Sequence, residues 1–283
     1  MGTVALAITL WFSKSTSMLY TSRQHSIAPT LPLPLQIKKF WAKNNPEPVV
    51  PTFQQVVQHI HGTNPYLDYP NYSKRTPLPS PWTRLTPEIV KHVLQLLPSI
   101  SSPMLVVEVG SFVGGSATIF GNVLREMNVN ATILCIDTWQ GTLTQWLLKQ
   151  NMKYIKPQFG QSTLFDLFMI NIMQAHLQDM VVPFPVPSAV GGPFLKARKY
   201  IIDIVYLDSS HEVMETFKEL CTFWEVLRVG GVLLGDDYFS FKGVRHDVDE
   251  FVARSRTKLE HIEKQWYIQK TPDVAHFTCY QYE

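Results

Sequence analysis

The chain has 283 residues, 45% of them hydrophobic and 17% charged, with a formal net charge of +2. This is globular composition, enough for one large domain or a domain with an extension, and it excludes a fibrous or fully disordered chain. With so little net charge and no dense Lys/Arg cluster, nothing points to nucleic acid as a partner. Thr3 to Phe12 is an apolar run too short to span a bilayer as a helix, so no stable membrane span is expected. No acid precedes Glu47, and Ser and Thr are frequent. Residues 1–27 therefore read as a loosely packed tail, with a targeting peptide as the alternative and a cytoplasmic location as the default. The three cysteines, Cys135, Cys221 and Cys279, are scattered. Their spacing signals neither a disulfide framework nor a zinc site, and a reducing compartment is the preferred setting.

Fourteen of the twenty prolines lie between Pro29 and Pro103, so residues 28–85 read as an irregular arm. A short helix is expected inside it at about 52–61. The folded domain is expected over 86–283, opening with a helix to Leu97 in which Thr86 caps, Pro87 takes the first position and Ile89, Val90, Val93, Leu94 and Leu97 share a face. Apolar strands are expected at 104–110, 131–137, 180–186, 200–208 and 230–237, and the prolines of the third push it towards a sheet edge or place them at a strand end. Helices are expected at 116–127, 162–178, 212–227 and 243–254, with β-like runs at about 259–269 and 274–281. Strands that are apolar throughout and alternate with helices define an α/β fold: a doubly wound, mostly parallel, seven-stranded Rossmann-like sheet closed by an antiparallel C-terminal hairpin. Ligands bind such sheets at the carboxyl ends of the strands.

The polar residues collect at those ends. "VEVGSFVGGSA" places Gly110, Gly114 and Gly115 in the first strand-to-helix turn, where glycine permits close backbone approach; any tight turn uses glycine too, and the spacing is not GxGxxG. Asp137 ends the second strand, a position from which an acid takes ribose hydroxyls, and Trp139 beside it suits either a base or the core. "LDSSHE" brings Asp208 and, three residues on, His211. "LLGDDYF" brings Asp236 and Asp237 to what is expected to be the neighbouring strand end. Three converging carboxylates raise one another's pKa unless a cation neutralises them, and an all-oxygen set suits Mg²⁺. The plainer alternative is a solvated turn at Asp236–Asp237 with Asp208 capping a helix. Histidine as a residue type suits proton removal near neutral pH, so His211 is a candidate general base.

"VVEVGSFVGGSA", "ILCIDTWQG", "VYLDSSHE" and "LRVGGVLLGDDY" together resemble the class I S-adenosylmethionine-dependent methyltransferases, in the metal-dependent O-methyltransferase branch related to macrocin O-methyltransferase and the cephalosporin hydroxylase-like proteins. The resemblance covers about residues 104–255. It implies that Glu108, Gly110 and Ser116, with Ser111 and Gly114 in the same loop, hold the methionine part of S-adenosylmethionine. It implies that Asp137, beside Thr138 and Trp139, holds ribose and that Ser188 approaches adenine. Asp208, Asp236 and Asp237 would bind Mg²⁺ or a similar divalent cation, Asp208 also bordering the cofactor, and His211 would be the base. The loop "DSSH" departs from the Gly and Asp or Asn that many members carry between acid and His. A small-molecule hydroxyl acceptor is expected, of sugar-like or polyketide or phenolic kind, with segment 140–165 (Trp146, Tyr154, Phe159) and the arm walling its pocket. A homo-oligomer stays open. The rival readings are an NAD-dependent oxidoreductase, against which the missing GxGxxG argues, and an inactive methyltransferase-like binding protein.

Overall fold

A computed structural model of the chain describes residues 47–67, 69, 83–147, 155 and 157–279. The chain divides into units 1–44 and 45–283, and every described residue belongs to the second. The expected tail and most of the Pro-rich arm lie outside the described residues.

Helix α1 (Phe53–Ile60) starts at Thr52, whose hydroxyl accepts the Gln55 backbone N–H while the Gln55 side chain accepts that of Thr52. Helix α2 (Pro87–Leu96) starts at Thr86 with Pro87 in its first turn, and its buried face is Ile89, Val90, Val93 and Leu94, as the periodicity predicts. Then come β1 (Met104–Val109), α3 (Gly115–Glu126), β2 (Ala131–Ile136), α4 (Leu143–Leu147), α5 (Leu164–Gln174), β3 (Val181–Phe184), α6 (Ser188–Ala197), β4 (Ile202–Leu207), α7 (Glu215–Val226), β5 (Leu227–Gly235), α8 (Lys242–Ser255), β6 (Glu260–Ile262) and β7 (Gln265–Gln269). The sheet order is β3-β2-β1-β4-β5-β7-β6, with β7 antiparallel to both β5 and β6 and the other pairs parallel. Chain direction across the sheet reverses between β1 and β4, which opens a crevice at their carboxyl ends. Two apolar clusters cover the two faces of the sheet, one including Val107, Leu207 and Leu233 and the other Val106, Tyr206 and Leu234.

The described part of the arm contacts β3 and the segment leading into β4. Tyr66 Oη donates to the Val181 carbonyl at 3.0 Å, His61 Nε2 lies 2.7 Å from the Pro183 carbonyl, and Val49 bridges Tyr200 in parallel. Pro183 is tolerated because β3 is an edge strand.

Two expectations need correction. Helix α6 stands where no helix is expected, and it contains Gly191, Gly192 and Pro193, all weak helix formers. Packing requires those glycines: a Cβ at Gly191 would sit 2.8 Å from Ile136 Cδ1, and one at Gly192 would sit 2.2 Å from Thr222 Cγ2. The run expected as a second C-terminal strand forms turns through residue 276, and the hairpin is contained within residues 260–269. Val274 and Phe277 pack inward instead, Phe277 edge-on to Phe251 at 5.6 Å, and residues 280–281 of the run lie outside the described residues.

The cysteine reading changes as well. Cys221 on α7 is bonded to Cys279, with Cα atoms 5.6 Å apart across a sequence separation of 58, and Cys135 is free and buried. Spacing alone carries no trace of a pairing made by two distant segments meeting on one helix. Closing a loop of that length is worth about 2–4 kcal/mol. Cys279→Ser is therefore expected to lower the melting temperature by about 5–15 °C. Dithiothreitol should lower that of the unaltered protein by a similar amount while leaving the variant where it is. A melting curve indifferent to both treatments would show that the bond does not constrain the chain.

Candidate active site

Three loops meet above the crevice. The first leaves β1 through Gly110, whose φ of +88° is open to glycine. A Cβ there would lie 2.1 Å from the Asp208 carbonyl oxygen, so the β1 loop runs in direct contact with the β4 loop. Gly114, at φ +85°, starts α3. Behind this loop Glu108 is fully buried and accepts hydrogen bonds from the Ser116 hydroxyl and, at 3.3 Å, from the Cys135 thiol. Ser111 is buried against it too. Burial raises the Glu108 pKa, and the Ser116 and Cys135 hydrogen bonds limit the rise.

The second loop follows β2. Asp137 Oδ2 accepts the Phe112 N–H at 2.8 Å and Oδ1 accepts the Trp139 N–H at 2.7 Å. The acid thus ties the β1 and β2 loops together, and burial pushes its pKa up against those bonds. Thr138 beside it is exposed. Trp139 is placed in the core and not on a ligand: it is 1% exposed, donates from Nε1 to the Phe112 carbonyl at 2.6 Å, and packs on Phe165 and Phe168 at 5.0 and 4.8 Å. Neither face of that indole is left for a base. Ser188 is the first residue of α6, and its hydroxyl faces Glu219 of α7.

The third cluster lies at the ends of the paired strands β4 and β5. One donor atom from each of Asp208, His211 and Asp237 lies within 4.8 Å of the others. His211 Nε2 is 2.7 Å from Asp237 Oδ2, and its ring stacks on Phe241 at 3.9 Å and 10°. Asp237 has φ +65°, a left-handed turn that Asp tolerates better than most residues. Asp236, which the resemblance put in the cation set, stands beside that trio. Its Oδ1 accepts the Asp237 N–H at 2.6 Å and Arg84 Nη1 at 3.1 Å, and its carbonyl accepts Trp266 Nε1 at 2.9 Å. Burial, followed by the charges of Asp236, Asp237 and Glu108, drives the Asp208 pKa well above the usual carboxylate range. Burial pushes Asp237 up as well, but His211 and Arg84 outweigh it and hold it below its ordinary value.

Three residues of this neighbourhood were not foreseen. Arg84, from the arm, places Nη1 3.1 Å from Asp236 and 3.0 Å from Asp237. Glu219 is buried on α7 and accepts the Ser209 hydroxyl at 2.5 Å. Asp247 of α8, fully buried, takes the N–H groups of Met214 and Phe217 at 2.9 and 3.0 Å and so caps the start of α7 from outside. Arg84 carries no local signal, being one basic residue in a Pro-rich stretch. Glu219 and Asp247 read as ordinary helix acids. Of the expected acceptor wall, Trp146 and Phe159 are exposed, with Leu143 and Leu147 nearby in sequence, and Tyr154 lies outside the described residues.

The two carboxylates suit a divalent cation, and the imidazole stands within 4.8 Å of both, at the edge of the position they offer. A nucleotide-type crevice therefore adjoins a cluster of acids and a histidine, at the ends of a sheet whose seventh strand pairs antiparallel. The sheet order and its antiparallel last strand pair are those of the Rossmann-like methyltransferase fold. Residues 107–238 match the family described as a methyltransferase domain, which includes all three loops. The fold is similar to "Structure of the O-methyltransferase NovP", at 19% identity and a TM-score of 0.52 over 84% of this chain and 97% of that one. A looser similarity, at 13% identity and a TM-score of 0.46, links 83% of this chain to 100% of an O-methyltransferase from Bacillus cereus in complex with SAH. No curated protein matches the chain significantly. No helix among the described residues is long and apolar enough to cross a membrane.

Proposed function

We propose that the chain transfers the methyl group of S-adenosylmethionine to a hydroxyl of a small molecule, sugar-like or polyketide or phenolic, with the help of Mg²⁺ or a similar divalent cation. The observation that carries this reading is the convergence of Asp208, His211 and Asp237 beside the Gly110 loop. Asp208 and Asp237 would hold the cation, with Asp236 next to them. When bound, the cation supplies positive charge that lowers the pKa of the acceptor hydroxyl. Asp137 holds the ribose side of the cofactor, and the Gly110–Ser116 loop holds its methionine side. His211 takes the hydroxyl proton at its imidazole; the Asp237 carboxylate and the Phe241 ring fix the orientation of that imidazole. Much of the rate then comes from holding oxygen and methyl carbon in line.

The test is methyl transfer from labelled S-adenosylmethionine to a panel of vicinal diols and catechols, with Mg²⁺ and with EDTA. Transfer to oxygen that EDTA suppresses is the expected result. Full transfer in EDTA removes the cation from the reading, and absence of transfer to any hydroxyl, with S-adenosylhomocysteine bound, removes the acceptor class.

A further inference from the structure

We propose that Arg84 is a built-in counter-cation of the acidic cluster, and that a divalent cation must displace it from Asp237 in order to bind. The inference rests on the cation reading given above. Both oxygens of Asp237 are engaged: Oδ1 by Arg84 Nη1 at 3.0 Å and Oδ2 by His211 at 2.7 Å. The same Nη1 reaches Asp236 at 3.1 Å. A cation that takes Asp237 as ligand enters next to a guanidinium already sharing that carboxylate. Two positive charges a few ångströms apart repel strongly in a partly buried site. Arginine cannot relieve this by losing a proton, so it must move.

The local structure lets the side chain move without the backbone. Leu85 is buried in the core and its N–H is bonded to Thr83 Oγ1 at 3.1 Å, while Thr86 caps α2. Arg84 sits between these anchors with its side chain 47% exposed. Its long stem can swing the guanidinium into water while residues 83–86 stay in place. In the metal-free protein the guanidinium offsets the repulsion among Asp208, Asp236 and Asp237. Arg84 thereby acts through Asp236 and Asp237 as a positioning residue, supplied by the arm from outside the matched methyltransferase segment.

A merely structural arginine and a competing one make opposite predictions, with Mn²⁺ alone as the probe and free Mn²⁺ read by electron paramagnetic resonance on the full chain. Arg84→Gln is expected to bind Mn²⁺ about tenfold more tightly than the unaltered protein, a coupling of ordinary size. Its melting temperature in EDTA should fall and be recovered when Mn²⁺ is added. Arg84→Lys keeps the charge, and its Mn²⁺ affinity is expected to stay within about twofold of the original. Equal or weaker Mn²⁺ binding by Arg84→Gln overturns the inference and leaves the cation site standing. Binding by Arg84→Lys as tight as by Arg84→Gln overturns it as well, because charge would then not be the cause. No Mn²⁺ binding by any of the three proteins overturns the cation site, and this inference with it.

Discussion

Asp208→Asn is expected to lower methyl transfer by about a thousandfold or more while leaving affinity for S-adenosylhomocysteine nearly unchanged. Asp208 is the acid on which the two strand ends converge, and the asparagine keeps its shape while removing its charge. The cofactor contacts assigned to Asp137 and the Gly110 loop stay in place. The same substitution is expected to stabilise the metal-free protein at neutral pH. Burial and the neighbouring acids raise the folded-state pKa of Asp208 above its unfolded value. A carboxyl of that kind binds more protons folded than unfolded, so it costs stability as pH rises through the interval between the two values. Below the unfolded pKa the cost is absent, and above the folded pKa it is complete. Melting curves in EDTA should therefore show the variant ahead of the original protein at pH 7.5, with the gap closing towards pH 4. A variant that turns over normally, or that melts lower at pH 7.5, would refute the assignment of Asp208 as a charge held for the chemistry.

Gly110→Ala is expected to cost about 3–5 kcal/mol and about 10 °C in melting temperature. Part of the cost is the left-handed backbone at φ +88°, which an L-residue adopts at a penalty. The larger part is steric. The new Cβ would lie 2.1 Å from the Asp208 carbonyl oxygen and 2.6 Å from Ser209 Cα, both backbone atoms that no rotamer change removes. The β1 and β4 loops would have to separate, and the Gly110 loop and Asp208 would move apart. Any residual protein should thus lose S-adenosylhomocysteine affinity as well as turnover, measured by calorimetry and by methyl transfer. Unchanged melting and unchanged affinity would mean that the two loops are not packed as described.

Gly110 and Asp208 also show how far residues could be read before the fold was known. Three of the apolar runs end at acids, Asp137, Asp208 and the Asp236–Asp237 pair, and the first ends at Gly110, so the sheet and its polar end follow from periodicity and turn chemistry. Position along a strand matters as much as residue type. Asp203 lies in the same run as Asp208, yet it sits near the other end of β4. There it is fully buried, paired with Arg228 at 2.6 Å and accepting the Leu105 N–H at 2.8 Å, a purely structural acid. Trp139 was ambiguous for the opposite reason. Its neighbour Asp137 faces the crevice, and only the packing of Phe165 and Phe168 shows that the indole turns inward.

By itself, the sequence determined the alternation of strands and helices, the capped start of α2 and the gathering of Gly110, Asp137, Asp208, His211, Asp236 and Asp237 at one end of the sheet. These are local properties, carried by spacing, side-chain shape and backbone preference within a few residues. Only the tertiary structure decided that Arg84 reaches Asp236 and Asp237, that Glu219 backs the Ser209 loop, that Cys221 meets Cys279, and that a donor atom of His211 lies within 4.8 Å of both Asp208 and Asp237. Each of those contacts joins segments far apart along the chain or depends on which way a side chain turns. Long-range proximity of that kind leaves no periodicity to read, because it is set by how whole helices and loops pack against the sheet.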